Sequence, residues 1–158
     1  MTTPASDDKL AIALQKLERV FLDIPFNRML GLHLDEIAKS HIKMSFDMTP
    51  ELIGNYMFGI LHGGVISSVL DMAGGVTAWV SLIYKHLDKH PMADLADILG
   101  KSSTVDLHVS YIRPGKGDKF FARAEVVNTG NKLSFTSMEL FNQEQKLIAR
   151  ASGTYLIG

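Results

Sequence analysis

The sequence contains no cysteine. Disulfides, thiolate nucleophiles and Cys-ligated zinc are therefore excluded, any nucleophile must be oxygen or nitrogen, and the absence fits a reducing compartment. An excess of charge of one sign is also missing: sixteen Lys+Arg against seventeen Asp+Glu leave a formal net charge of −1. That balance lacks the basic surplus of a nucleic-acid binder and points to a small or uncharged partner. The first residues, Met1 to Asp8, are acidic and have neither the basic start nor the apolar run of a secretory signal, so the expected location is cytoplasmic. What the chain does have is apolar mass. Of 158 residues 46% are hydrophobic and 21% charged, enough to bury a core, and with no repeat or linker in view residues 1–158 are expected to form one domain.

Periodicity divides the chain. From Asp7 to Asp23, Leu10, Ala13, Leu14, Leu17, Val20 and Phe21 recur at helical spacing, which predicts an amphipathic opening helix that stops before Pro25. Residues 32–37 and 42–48 alternate and predict a hairpin turning at Ala38-Lys39-Ser40, after which 52–59 reads as an irregular loop. A long apolar stretch from Gly64 to Tyr84 follows. Asp71 lies inside it, and a central Asp costs roughly 2.5–3.5 kcal/mol in a bilayer, so the stretch is expected to be a buried helix rather than a membrane span. Residues 85–101 form a bridge with a short helical turn over 93–99. Four strands then follow, over 105–111, 120–127, 133–141 and 147–156, separated by turns rich in Gly, Asn and Pro. Short turns join antiparallel neighbours. The expectation is an α+β fold in which about six mostly antiparallel strands surround one hydrophobic helix.

On that helix Val65, Ile66, Val69, Leu70, Ala73, Val76, Val80 and Ile83 make a broad stripe for the sheet. Ser67, Asp71, Gly74 and Ala78 make a second stripe, of small residues around one carboxylate, where a partner chain or a ligand is expected to approach. Each of Gly74 and Gly75 costs about 1 kcal/mol in a helix, so something must offset them. Taken alone, Asp71 is either a core acid satisfied by donors or a working carboxylate. Gly63-Gly64 at the helix mouth is either a tight junction or a cradle of free N–H groups for an oxyanion or carbonyl oxygen. Gly63 and Asp71 are eight residues apart, hence about 12 Å along the axis and roughly 80° around it. One carbonyl cannot touch both groups in one chain. If both serve one reaction, two chains must meet about a two-fold axis, with Gly63 of one facing Asp71 of the other.

Asn55, His62-Gly63-Gly64 and Asp71, with the strand end Tyr111-Ile112-Arg113-Pro114-Gly115, resemble the hotdog-fold acyl-CoA thioesterases of the phenylacetyl-CoA thioesterase (PaaI) type. The resemblance runs from about Pro25 to Leu156. Pro25-Phe26-Asn27-Arg28, Gly54-Asn55, Ile60 to Ile66 and Gly130-Asn131-Lys132 are similar to the bacterial YigI-like branch acting on medium- and long-chain acyl-CoA. The resemblance implies an antiparallel sheet wrapped round the long helix, homodimers with a continuous sheet, and tetramers. It also implies site roles: Asp71 as general base or nucleophile, the Gly63 amide as the group polarising the carbonyl, Asn55 orienting water or carbonyl, and His62 bracing the Asn55 loop. In many family members the Asn stands six residues before the His, whereas Asn55 precedes His62 by seven.

No metal or cofactor is needed for that chemistry, because a thioester is already activated. Nor do the six histidines offer ligand spacing beyond the surface pair His86/His90. Arg113, Lys116 and Lys132 lie in turns, and are either solvated or able to meet the phosphates of CoA. Gly64 and Ser67 are expected beside the substrate. Met57 and Phe58, with Phe26, Met29, Trp79 and the 92–99 segment, are either core or an acyl tunnel. The near-neutral charge favours CoA over an acidic carrier protein. Two other readings fit the same residues: a hotdog protein that binds acyl-CoA without turnover, and a hotdog hydratase, which would want a positioned His.

Overall fold

The computed structural model describes residues 4–86 and 100–157. It opens on α1 (Pro4–Asp23) and a short α2 (Pro25–Leu30). Next come β1 (His33–Ile37), β2 (His41–Asp47), a 3-10 turn (Pro50–Leu52), β3 (Ile53–Asn55) and β4 (Ile60–Leu61). The long helix is α3 (Gly63–His86), and β5 (Ser103–Tyr111), β6 (Lys119–Thr129), β7 (Leu133–Asn142) and β8 (Leu147–Leu156) complete the chain. A six-stranded sheet runs in the order β1-β2-β6-β7-β8-β5, with every neighbour antiparallel. It wraps α3, which is the expected hotdog arrangement. The bridge turn predicted over 93–99 lies outside the described residues.

Register explains why the helix fits. The concave face carries rows in which alanines flank one large side chain, Ala122 opposite Leu140 opposite Ala149, and Ala124 opposite Met138 opposite Ala151. These form a trough in which α3 lays Ile66, Val69, Leu70, Ala73, Val76, Val80 and Ile83, all buried. The Phe46 and Phe120 rings stack with centroids 5.3 Å apart at the β2–β6 contact. From outside, α1 closes the core with Ala13, Leu17 and Phe21. Although α3 is long and apolar enough to cross a bilayer, most of it is buried against the sheet.

Two elements differ from expectation. Residues 25–30 form α2, started by Pro25 in its first turn and ended by Gly31 in the left-handed conformation at φ 65°. Six residues are too few to show a period, yet the Pro and Gly at its ends are ordinary helix punctuation. The 52–59 region is a small hairpin, β3 against β4, with Tyr56, Met57 and Phe58 exposed at its tip.

The lower part of the small-residue stripe is occupied from within the chain. A Cβ on Gly74 would lie 2.3 Å from the Tyr155 hydroxyl, and Ala78 is buried in a cluster with Leu82, Tyr155 and Ile157. Neither a partner nor a ligand takes that space, which β8 fills. Docking of the Tyr155 phenol offsets the propensity cost of Gly74, about 1 kcal/mol, because the ring needs a helix face without a Cβ.

Candidate active site

The mouth of α3 is built on His62. Its backbone N–H donates to Leu52 O at 2.8 Å, and its carbonyl accepts from Val65 N–H at 3.0 Å and Ile66 N–H at 3.1 Å. Its ring nitrogen Nδ1 accepts from Gly64 N–H at 2.8 Å. The imidazole thus serves as the helix N-cap, which in the neutral ring places the proton on Nε2. Three of the first four amides are thereby satisfied, and the Gly63 N–H has no acceptor among the described residues. That free donor sits at the positive end of a 24-residue helix, where a developing oxyanion is most stabilised. With Nδ1 committed to the cap, His62 is poorly placed for the proton transfers of a hydratase.

Gly63 opens onto a pocket of about 310 Å³ lined by Ile60, Leu61, Ile66, Tyr111, Arg113 and Pro114 among others. Tyr111, at the end of β5, donates its hydroxyl to Gly63 O at 3.1 Å. The 113–117 loop packs on β4, where Leu61 N–H donates to Gly115 O at 3.0 Å. In that loop Lys116 Nζ lies 5.9 Å from the Phe58 ring centroid, and Arg113 donates to Leu147 O at 2.9 Å.

Gly54 presses on His62 so closely that a Cβ would come 2.7 Å from His62 Cα. This fixes the residue before Asn55 against the cap. Asn55 itself is exposed and turns the hairpin, its Oδ1 accepting from Met57 N–H at 3.2 Å. Gly64 is exposed as well, while Ser67 is half-buried and donates to Gly64 O at 3.0 Å.

Asp71 sits two turns down α3 in a different place. It lines a second pocket of about 120 Å³ with Met72, Gly75, Trp79, Ser102, Ser103, Thr104 and Tyr155. Thr104, near the start of β5, donates its hydroxyl to Asp71 Oδ1 at 3.0 Å, with Oδ2 at 3.3 Å. Tyr155 on β8 places its hydroxyl 3.2 Å from Oδ1 and 3.0 Å from Asp71 O. Both donors thus converge on Oδ1, and Oδ2 keeps only the longer contact. Burial, and then the Asp71 charge, push the Tyr155 phenol far above its ordinary value near 10, so it remains a donor at any working pH.

The structure therefore brings Gly63, Gly64, His62, Arg113 and Lys116 to one end of β5 and puts Asp71 at the other, as the eight-residue spacing required. Lys132 is not with Arg113 and Lys116: it lies in the β6–β7 turn at the far end of the sheet, where its carbonyl accepts from Ile157 N–H at 2.8 Å. Trp79 lines the Asp71 pocket. Met57 and Phe58 are 73% and 62% exposed, and Phe26 and Met29 are exposed too, so in one chain these four belong to no core. The 92–99 part of the expected tunnel, and His90, fall outside the described residues, among which no His/Asp/Glu cluster could hold a metal ion. Sequence reasoning missed Thr104 and Tyr155, whose proximity to Asp71 exists only once β5 and β8 are paired in register.

A family model described as the thioesterase superfamily matches residues 58–149. That span takes in His62, Gly63 and Asp71 but not Asn55. The chain is 39% identical over 135 residues to the medium/long-chain acyl-CoA thioesterase YigI of Salmonella typhimurium and, equally, to that of Escherichia coli K12, covering 85% of this chain and 86% of each relative. Among solved structures it is similar to a Shewanella oneidensis protein described as related to the thioesterase superfamily, with TM-score 0.90 and 36% identity over 99% of this chain and 100% of that one. The E. coli PaaI protein from the phenylacetic acid degradation operon shares the fold, with TM-score 0.74 and 19% identity over 92% of this chain and 93% of that one.

Proposed function

The chain belongs to the thioesterase superfamily, and from that membership we propose that this thioester hydrolase acts on acyl-CoA esters of medium or long chain length, releasing fatty acid and CoA. It does so as a single domain per chain, in the cytoplasm, with its sites completed by homodimerisation. The observation that carries the reading is the pairing of an unused Gly63 N–H at one end of β5 with a braced Asp71 carboxylate at the other.

β5 is the edge of the sheet and its outer side is unpaired among the described residues, with Val105 and Tyr111 more than half exposed. A nine-residue exposed edge is a template for a second copy. Antiparallel pairing of β5 with itself about Leu107 and His108 sets Thr104 opposite Tyr111 of the partner subunit. Thr104 is bonded to Asp71 and Tyr111 to Gly63, so this register brings each Asp71 pocket to the Gly63 mouth of the partner subunit. It also brings Lys132 to the sheet end that carries Arg113 and Lys116 of the partner subunit, which supports a shared cationic set for the CoA phosphates. The apolar Met57 and Phe58 at the hairpin tip suit a long acyl chain.

In this scheme the Gly63 N–H of one chain polarises the thioester carbonyl while Asp71 of the other takes a proton from an attacking water. The C–O bond forms, the tetrahedral oxyanion is held at the helix mouth, and the C–S bond breaks as CoA leaves as thiolate and takes up a proton. Asn55 orients the water or the carbonyl, and His62 braces the Asn55 turn and the cap together. General base and oxyanion donor contribute on the order of 10²–10³-fold each. A thiol-release assay over acyl-CoA chain lengths tests the proposal, with Asp71→Asn as control. The amide keeps an Oδ1 acceptor for Thr104 and Tyr155 but cannot take a proton, so turnover should fall at least about 10²-fold with folding intact. Unchanged turnover would remove Asp71 from its role.

A further inference from the structure

We propose that Tyr155 is a positioning residue for the reaction, its phenol O–H clamping the Asp71 carboxylate and the α3 backbone at the same residue. The inference rests on the assignment of Asp71 as the base.

The placement of this side chain is unusually constrained. Tyr155 points inward from β8 and is 4% exposed. A Cβ on Gly153 would lie 2.8 Å from Tyr155 Cε2 and from its hydroxyl. On the helix side, a Cβ on Gly74 would lie 2.3 Å from the hydroxyl and 2.8 Å from Cζ. The ring thus passes between two positions that must both be glycine, one in a strand and one mid-helix, each unfavourable there on propensity alone. Packing by itself does not call for the oxygen, since a phenylalanine ring would fill the same slot. A buried hydroxyl is costly unless paired, and this one is placed within hydrogen-bond reach of Asp71 O and Oδ1. With Thr104 on the same Oδ1, the carboxylate is held from β5 and β8 at once, which fixes its rotamer and directs its less engaged oxygen, Oδ2, to the work of catalysis.

Tyr155→Phe should therefore lower kcat about tenfold with KM changed less than about twofold, the mark of a group felt in the transition state rather than in binding. Gly74→Ala forces the phenol oxygen off Asp71 by steric contact and should give the same fall in kcat with the same small change in KM. The double variant should fall no further, because both changes break one contact. An unchanged kcat in Tyr155→Phe, a loss carried by KM instead, or multiplying losses in the double variant would overturn the proposal. Asp71→Asn, assayed alongside, separates the two levels. If it retains turnover, the assignment of the base fails. If it abolishes turnover while Tyr155→Phe leaves kcat unchanged, only the clamp fails.

Discussion

Replacing Gly63 by proline removes one atom that the mechanism depends on, the amide hydrogen at the mouth of α3. Few other changes can delete a backbone donor, and here the position tolerates it. Gly63 is the first residue of the helix, where proline is favoured, and the residue before it is the N-cap, where the extended backbone that proline demands is the rule. Because the Gly63 N–H has no acceptor among the described residues, no internal hydrogen bond is lost. The added Cβ meets Tyr111 Cε1 at 3.5 Å, ordinary contact. Folding stability should therefore hold, or rise by about 0.4–1 kcal/mol through the stiffer unfolded chain. Turnover should behave oppositely: losing one oxyanion donor costs about 2.7–4 kcal/mol in the transition state, a 10²–10³-fold fall in kcat. Thiol release from a long-chain acyl-CoA measures the rate, and urea unfolding measures stability. Gly63→Ala keeps the N–H and fits the same space, so it should stay within about threefold of the parent. A proline variant that folds normally and keeps more than about a tenth of the parent kcat would refute the reasoning.

Other outcomes follow from the same geometry. Above pH 10 the unfolded chain ionises a tyrosine that the folded chain keeps protonated, since burial and Asp71 raise the Tyr155 value. That contribution to stability is complete below pH 10 and declines above it, by about 1.4 kcal/mol per pH unit. In urea unfolding at pH 9 to 11, Tyr155→Phe should lack this share of the alkaline loss; identical pH slopes in the two proteins would count against it. Val105→Lys puts a charge on the exposed β5 edge and should yield monomers in size-exclusion chromatography that have also lost thioesterase activity. A folded, active monomer would mean that each chain holds a complete site.

The legible part of this fold was whatever repeats along the chain. The α3 stripe, the alternation of β5 to β8 and the wide separation of Gly63 from Asp71 are all one-dimensional patterns, and the structure has them. What depends on register was not legible. Tyr155 meets Asp71 only because Gly74 and Gly153, 79 positions apart, are brought onto its two sides. The one hint is the helix-weakening Gly74, whose small-residue stripe suggests an outside surface, whereas β8 of the same chain is the occupant. Likewise Arg113, Lys116 and Lys132 look alike as turn cations, yet antiparallel strands send their turns to opposite ends of the sheet. The β3–β4 hairpin is not legible because Leu52 to Gly59 is partly apolar without alternation, its exposed Met57 and Phe58 breaking the usual inside-outside pattern. His62 stands at the helix mouth, and its use as an N-cap through Nδ1 departs from the Ser, Thr, Asp and Asn that commonly announce a helix start.

Subunit complementation addresses the two-chain site most directly. Asp71→Asn and Gly63→Pro proteins, each nearly inactive alone, are unfolded together, refolded as a one-to-one mixture and assayed for thiol release. Half the dimers are then mixed, and each mixed dimer has one site with an intact Asp71 from one chain and an intact Gly63 from the other, so activity should return to about a quarter of the parent. If the two groups act within a single chain, mixing restores nothing, and the account of an active site shared across β5 is wrong.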